Sequence, residues 1–290
     1  MPTPTLPTTV AGVMRWGRWG AQLSTPELRA LVEGCLAAGV TAFDHADIYG
    51  DYTEEAAFGR VLAEAPRLRD RMTLVSKCGI RMVAAARPGH RLKSYDSGRD
   101  HVVASAEASL RALRTDRLDL LLLHRPDLLL DADEVAGAFA ELRDAGKVLA
   151  FGVSNFTPAQ FDLLASRWPE LATNQVELSL AHLDPLFDGT LDQAQRLGRR
   201  PMIWSPLGGG AVIGGRGRLS ANLTEVATRL GTTPDVVAYA WVLRHPSRPS
   251  VVTGSSKLAR ITRARQAEGL ALDRETWYEL LEAARGHEVA

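Results

Sequence analysis

Between Thr41 and His124 the chain reads Thr41-Ala-Phe-Asp44, then Met72-Thr-Leu-Val-Ser-Lys77, then Leu118-Asp-Leu-Leu-Leu-Leu-His124. These are three apolar runs, and each closes on an ionisable residue. The segments between them are patterned as helices, so the order is strand, helix, strand, helix, strand. Near-continuous apolar runs suit strands that helices cover on one side and a packed interior on the other. In a parallel barrel the C-terminal ends of all strands share one face, and that face carries the chemistry. Asp44, Lys77 and His124 stand at that edge, and Tyr49 lies just past the first of them. A carboxylate, an amine, an imidazole and a phenol would then converge on one pocket.

The alternation extends in both directions. Strands are expected at residues 10–14, 41–45, 72–77, 118–124, 149–154, 172–177, 201–205 and 250–254. Ser24-Thr-Pro-Glu27 reads as a helix start with proline in the first turn, and Thr157-Pro158 and Thr233-Pro234 repeat it. Gly39, Gly146 and Gly231 follow helix ends, where a left-handed residue is wanted. Eight strand–helix units argue for a single-domain α/β protein, a (β/α)8 TIM barrel over residues 1–290. Two irregular segments, 79–99 and 208–218, leave the expected active face and are candidates for covering a ligand. The second holds six glycines, at 208, 209, 210, 214, 215 and 217, which remove side chains where backbone could approach a phosphate.

Composition narrows the partners. Lys plus Arg number 34 and Asp plus Glu number 34, so no net charge draws in nucleic acid or an anionic membrane. Cys35 and Cys78 read as two free thiols suited to a reducing cytosol. The start, Met-Pro-Thr-Pro-Thr-Leu-Pro-Thr-Thr, has neither the basic residues nor the apolar core of a secretory signal. No window approaches ~18 consecutive apolar residues, the length a membrane span needs. A cytoplasmic monomer or weak oligomer with no nucleic-acid or membrane partner is expected. The seven histidines show no metal-ligand spacing, so no metal is expected, and no Gly-x-Ser-x-Gly elbow suggests hydrolysis.

The four polar residues make a coherent set. A free phenol has a pKa of about 10, so Tyr49 is a poor acid unaided. An ammonium beside it, Lys77, would lower that value, and Asp44 would supply the ammonium's counter-charge. His124 could hydrogen-bond a substrate oxygen or relay a proton. A carbonyl held between Tyr49 and His124 would be polarised to accept hydride. No side chain donates hydride, so a cofactor must. Taken singly, Asp44 and Lys77 also read as a structural ion pair, Tyr49 as a loop aromatic and His124 as a strand-end histidine.

A family resemblance joins these residues. Phe43-Asp-His-Ala-Asp-Ile-Tyr-Gly50, followed by Glu54-Glu55 and Phe58-Gly59, resembles the aldo-keto reductase signature around its catalytic aspartate and tyrosine. Ser76-Lys77 is similar to the family's lysine strand. Ser109-Leu-Arg-Ala-Leu-Arg-Thr-Asp116, leading to His124-Arg-Pro-Asp127, resembles its histidine segment. Gly146-Lys147, Phe151-Gly-Val-Ser-Asn155 and Asn174-Gln-Val-Glu177 follow in the family's order. The resemblance runs from about Val10 to Arg260.

It implies a barrel that binds NADP(H) across its C-terminal face without a Rossmann domain, and reduction of a small-molecule carbonyl. Asp44, Tyr49, Lys77 and His124 would be the catalytic tetrad, with Tyr49 as acid. Ser154, Asn155 and Gln175 would hold the nicotinamide carboxamide, and Trp204 would stack on its ring. Ser205, Leu207, Gly208 and Gly209 would follow the pyrophosphate, and Met14 and Arg15 would lie near the cofactor. Gly254, Ser255, Ser256, Lys257 and Arg260 would form the last cofactor segment, with Arg260 on the 2′-phosphate of NADP, whose oxygens its planar fork matches. The family's Glu-Asn pair near the adenine is replaced here by Arg263-Ala264, leaving Ser255, Ser256 and Lys257 to compensate. Trp16, Trp19, Arg81, Tyr95 and Arg125 are candidates for the pocket rim. Two other readings of the same barrel are an NADP(H)-binding sensor or accessory subunit with little turnover, and a hydrolase using Asp44 and Asp47.

Overall fold

Eight parallel strands close into a barrel in the order β1 (Thr9–Gly12), β2 (Ala42–Asp44), β3 (Thr73–Cys78), β6 (Leu120–Leu123), β7 (Phe151–Ser154), β8 (Asn174–Glu177), β9 (Met202–Trp204) and β10 (Ser250–Thr253), which pairs back with β1. A small antiparallel ribbon, β4 (Ile80–Arg81) and β5 (Ser94–Tyr95), stands outside it. The computed structural model describes residues 6–289; the first five, on which much of the reading of the N-terminal segment rests, and Ala290 lie outside the described residues.

The helical shell follows the strands. It comprises α1 (Thr25–Ala37), α2 (Tyr49–Tyr52, a single turn containing left-handed residues), α3 (Glu54–Glu64), α4 (Arg99–Leu113), α5 (Ala132–Asp144) and α6 (Pro158–Ala165). Then come α7 (Thr190–Arg196), α8 (Ala211–Gly214), α9 (Arg218–Arg229), α10 (Pro234–Leu243), α11 (Leu258–Gln266) and α12 (Arg274–Arg285). The expected punctuation is present. The Ser24 N–H donates to Glu27 Oε2 at 2.8 Å, and the Gln160 N–H donates to Thr157 Oγ1 at 3.3 Å. Gly39, Gly146 and Gly231 take φ of 78°, 69° and 63°, the left-handed region in which a Cβ is penalised.

Register decides where the site falls. The barrel is filled by an apolar layer that includes Val10, Ala42, Val75, Leu120, Leu122, Ala150, Met202 and Val252. Side chains on a strand return to the same face every second residue. Two residues past Ala42, Val75, Leu122 and Met202 stand Asp44, Lys77, His124 and Trp204. Ser154 is four past Ala150, and Gly254 two past Val252. The polar set is thus the inward layer next above the apolar one, at the C-terminal mouth.

The strands are shorter than expected. Residues 13 and 14 lie past β1, in the turn that Trp16 N–H closes on Val13 O at 2.8 Å, and Leu118 makes only an isolated bridge to Val148. Segment 79–99 contains the β4–β5 ribbon, and 208–218 contains α8. Cys35 and Cys78 are buried free thiols, in α1 and at the end of β3.

Candidate active site

Lys77 organises the mouth. Its side chain is 0 % exposed, and Nζ donates to Asp44 Oδ2 at 2.7 Å, to the His45 carbonyl at 2.7 Å and to the Tyr49 hydroxyl at 3.2 Å. An ammonium has three donors, and all three are used. Asp44 Oδ1 accepts from Gln175 Nε2 at 2.9 Å, so four side chains from β2, its following turn, β3 and β8 form one buried network. His124 faces Tyr49 edge-on, with ring centroids 5.9 Å apart.

Tyr49 is held by an unusual backbone. The three residues after it, Gly50, Asp51 and Tyr52, have φ of 58°, 58° and 68°. For the two non-glycines this conformation costs free energy and persists only where neighbours over-determine it. Those neighbours are visible. Thr53 Oγ1 donates to Gly50 O at 2.6 Å, Trp19 Nε1 donates to Asp51 Oδ1 at 3.1 Å, and Met82 N–H donates to the Tyr52 hydroxyl at 2.9 Å. Arg18 closes on Asp51 at 3.0 Å, and the Trp19 ring lies 6.1 Å from the Tyr49 ring.

Burial dominates the electrostatics. It pushes the Tyr49 pKa above the ordinary phenol value, with Lys77 the largest opposing influence. Lys77 lowers the Tyr49 pKa as expected, but in this water-excluded setting desolvation of a phenolate outweighs one ammonium that Asp44 already neutralises, and the net direction is up. Burial also works against the Lys77 charge, but Asp44 and Tyr49 together hold its pKa above the ordinary lysine value. His124 lies well below the ordinary histidine range, through burial first and then Lys77, Arg125 and Lys93. It is a neutral imidazole at pH 7.

A second wall gathers polar groups from β7, β8 and β9. Asn155, with φ 60°, accepts from Trp204 Nε1 at 2.9 Å and donates to Ser154 Oγ at 2.7 Å. Ser154 Oγ in turn donates to the Gln175 carbonyl at 2.9 Å. Beyond Trp204 the backbone turns sharply: Ser205, Gly208 and Gly209 have φ of 50°, 57° and 65°, and the Gly208 N–H donates to Ser205 O at 2.7 Å across Leu207. A Cβ on Gly209 or Gly254 would meet nothing within 4 Å, so both border open space. Ser255 accepts from Trp16 Nε1 through its carbonyl at 2.8 Å and caps the Lys257 N–H with its hydroxyl at 3.1 Å. Met14, 37 % exposed, and Arg15 lie at the β1 exit, while Ser256, Lys257 and Arg260 lie at the start of α11. None of these five bonds to Asp44, Tyr49, Lys77 or His124 among the described residues. Arg263 is engaged by Asp235 at 2.9 Å.

Trp16 is a correction. It is 0 % exposed, packs edge-on against Phe43 at 6.2 Å and lies in the core, not on the rim. A tryptophan in a glycine-bearing loop looks exposed in sequence; its N–H finds the Ser255 carbonyl, which lets the ring be buried. Glu54 and Glu55 entered the sequence reading only as part of the signature, and their burial, which raises both pKa values to about 7, was not foreseen. Acids in a first helical turn are ordinary, so no local signal marks these two.

A closed parallel barrel whose C-terminal mouth carries a buried carboxylate–ammonium–phenol cluster has the architecture of a barrel enzyme. The Aldo/keto reductase family model matches residues 9–285, and the chain belongs to that family. It is 51% identical to Oxidoreductase YdhF of Escherichia coli (strain K12) over 284 residues, 97% of this chain and 94% of that protein. It is 45% identical to the 6-dehydroglucose reductase of Agrobacterium fabrum over 281 residues, 95% of each chain. An aldo/keto reductase from Klebsiella pneumoniae, crystallised in complex with NADP and acetate, superposes with a TM-score of 0.79 at 26% identity, covering 97% of this chain and 92% of that one.

Proposed function

We propose that this chain reduces an aldehyde or ketone to an alcohol with NADPH, using Asp44, Tyr49, Lys77 and His124. The observation that carries the reading is the fully buried Lys77 ammonium, 2.7 Å from Asp44 and 3.2 Å from the Tyr49 hydroxyl. Tyr49 gives its proton to the carbonyl oxygen. As the phenolate develops, Lys77 is already in place to stabilise it, and a preorganised charge in a dry site acts far more strongly than one in water. Asp44 keeps Lys77 charged despite its burial, and neutral His124 orients the substrate oxygen.

The donor set suits the cofactor that supplies the hydride. Gln175 uses its N–H on Asp44, which leaves its amide oxygen to accept from a carboxamide, beside Ser154 and Asn155. Trp204 offers a ring face, and Ser205, Leu207, Gly208 and Gly209 a side-chain-poor turn for a pyrophosphate. Gly254, Ser255, Ser256, Lys257 and Arg260 form the adenosine end, with Met14 and Arg15 on the near side. Arg15, Lys257 and Arg260 have no acidic partner among the described residues, which favours the extra phosphate of NADP over NAD. The test is oxidation of NADPH and NADH by the purified protein with a carbonyl panel that includes 6-dehydroglucose, the compound in the Agrobacterium relative's name. NADPH-dependent turnover is expected. Tight NADPH binding without turnover of any carbonyl would replace this reading with that of a sensor.

A further inference from the structure

Arg125 directly follows His124 at the exit of β6. Its guanidinium lies over the Trp204 ring, 5.7 Å from the centroid, and the residue is half-buried. It makes no hydrogen bond and no ion pair among the described residues. Arg69, which is also withdrawn from solvent, is by contrast fully engaged: it meets Asp119 at 2.9 Å, the Arg117 carbonyl at 2.9 Å and the Met72 carbonyl at 3.1 Å. A guanidinium keeps its charge and five donors in a planar fork, so an unpaired one beside a pocket has a strong requirement for an oxyanion. The rest of the mouth does not meet it. The charged groups that act on His124 are Lys77, Arg125 and Lys93, all cationic, and Asp44 is committed to Lys77 and Gln175. Lys93 lies just ahead of β5.

We propose that Arg125 is a carboxylate-binding subsite, so that the preferred substrates are aldehydes or ketones carrying a carboxylate. The inference rests on the reductase reading above and adds the substrate's charge. A carboxylate on the guanidinium fork would fix the carbonyl's approach to Tyr49 and His124 by two parallel hydrogen bonds. The cofactor's own phosphates are a competing claim on the same charge, and the experiment separates the two.

The test compares kcat/KM for two nearly isosteric substrates, 4-carboxybenzaldehyde and the neutral 4-formylbenzamide, with NADPH. The parent is expected to favour the carboxylate by roughly tenfold or more, as a charge-assisted pair implies. In Arg125→Met the ratio is expected to fall to near one, and in Arg125→Lys to an intermediate value, because the charge survives without the fork. A ratio taken within one variant cancels any general loss of activity. The parent's preference should also narrow as salt is raised. Equal kcat/KM for both aldehydes in the parent would overturn the inference and leave the reductase standing. A ratio unmoved by Arg125→Met would overturn it too. So would an NADPH Kd weakened in that variant as much as the ratio falls, which would assign the guanidinium to the cofactor. No turnover of either aldehyde would instead count against the reductase reading.

Discussion

A lysine withdrawn from water carries a desolvation penalty of several kcal/mol, and only good geometry with satisfied donors offsets it. Lys77 meets both conditions through Asp44, the His45 carbonyl and Tyr49. The same burial has an opposite effect on an acid nearby. Glu55, whose Oε1 accepts from Ser76 Oγ at 2.6 Å, has its pKa raised from 4.5 to about 7 by burial. The folded state therefore binds more protons than the unfolded one between these values. Its contribution to stability is complete below pH 4.5 and is lost as pH rises through 7. Glu55→Gln removes that titration and keeps the shape. Measured by urea unfolding from pH 5 to 8, the variant is expected to gain on the parent as pH rises, by up to about 3 kcal/mol. Parallel pH curves would show that Glu55 is ionised in the fold throughout.

At the scale of elements, close approach sets hard limits. Gly59 in α3 faces the C-terminal end of α4, where a Cβ would stand 2.0 Å from the Ala112 carbonyl oxygen. Backbone cannot yield as a side chain does, so Gly59→Ala must push α3 and α4 apart. The expected cost is about 1–3 kcal/mol or more, seen as a lower urea midpoint at unchanged m-value. An unchanged midpoint would contradict the close contact. Three of the strands, β2, β3 and β6, were legible in sequence because each is an apolar run with an ionisable residue two steps beyond its last inward apolar position. Asp44, Lys77 and His124 announce themselves that way. The β4–β5 ribbon did not, because two-residue strands carry no alternation to read. Nor did the left-handed run from Gly50 to Tyr52, which Trp19, Thr53 and Met82 impose from outside the local sequence. Trp16 was misplaced for the same reason: its partner, the Ser255 carbonyl, is remote in the chain.

On the scale of the whole molecule, the barrel stacks an apolar layer beneath a polar one, and only closure of the sheet brings them into register. Asp44 and Gln175 are distant in sequence yet share a hydrogen bond of 2.9 Å across the barrel. That one bond links the Asp44–Lys77–Tyr49 cluster to the wall proposed for the carboxamide, so the proposed proton donor and the proposed cofactor site are fixed to each other by the fold itself. Among the described residues no helix is long and apolar enough to cross a membrane. The proposed role of this architecture is to make Tyr49 a proton donor. The most direct measurement is steady-state oxidation of NADPH with a reactive aromatic aldehyde by the parent and by Tyr49→Phe, which removes only the phenolic oxygen, alongside the NADPH Kd of each. Turnover is expected to fall on the order of a hundredfold or more, with Kd nearly unchanged. Turnover in Tyr49→Phe equal to that of the parent would contradict that role.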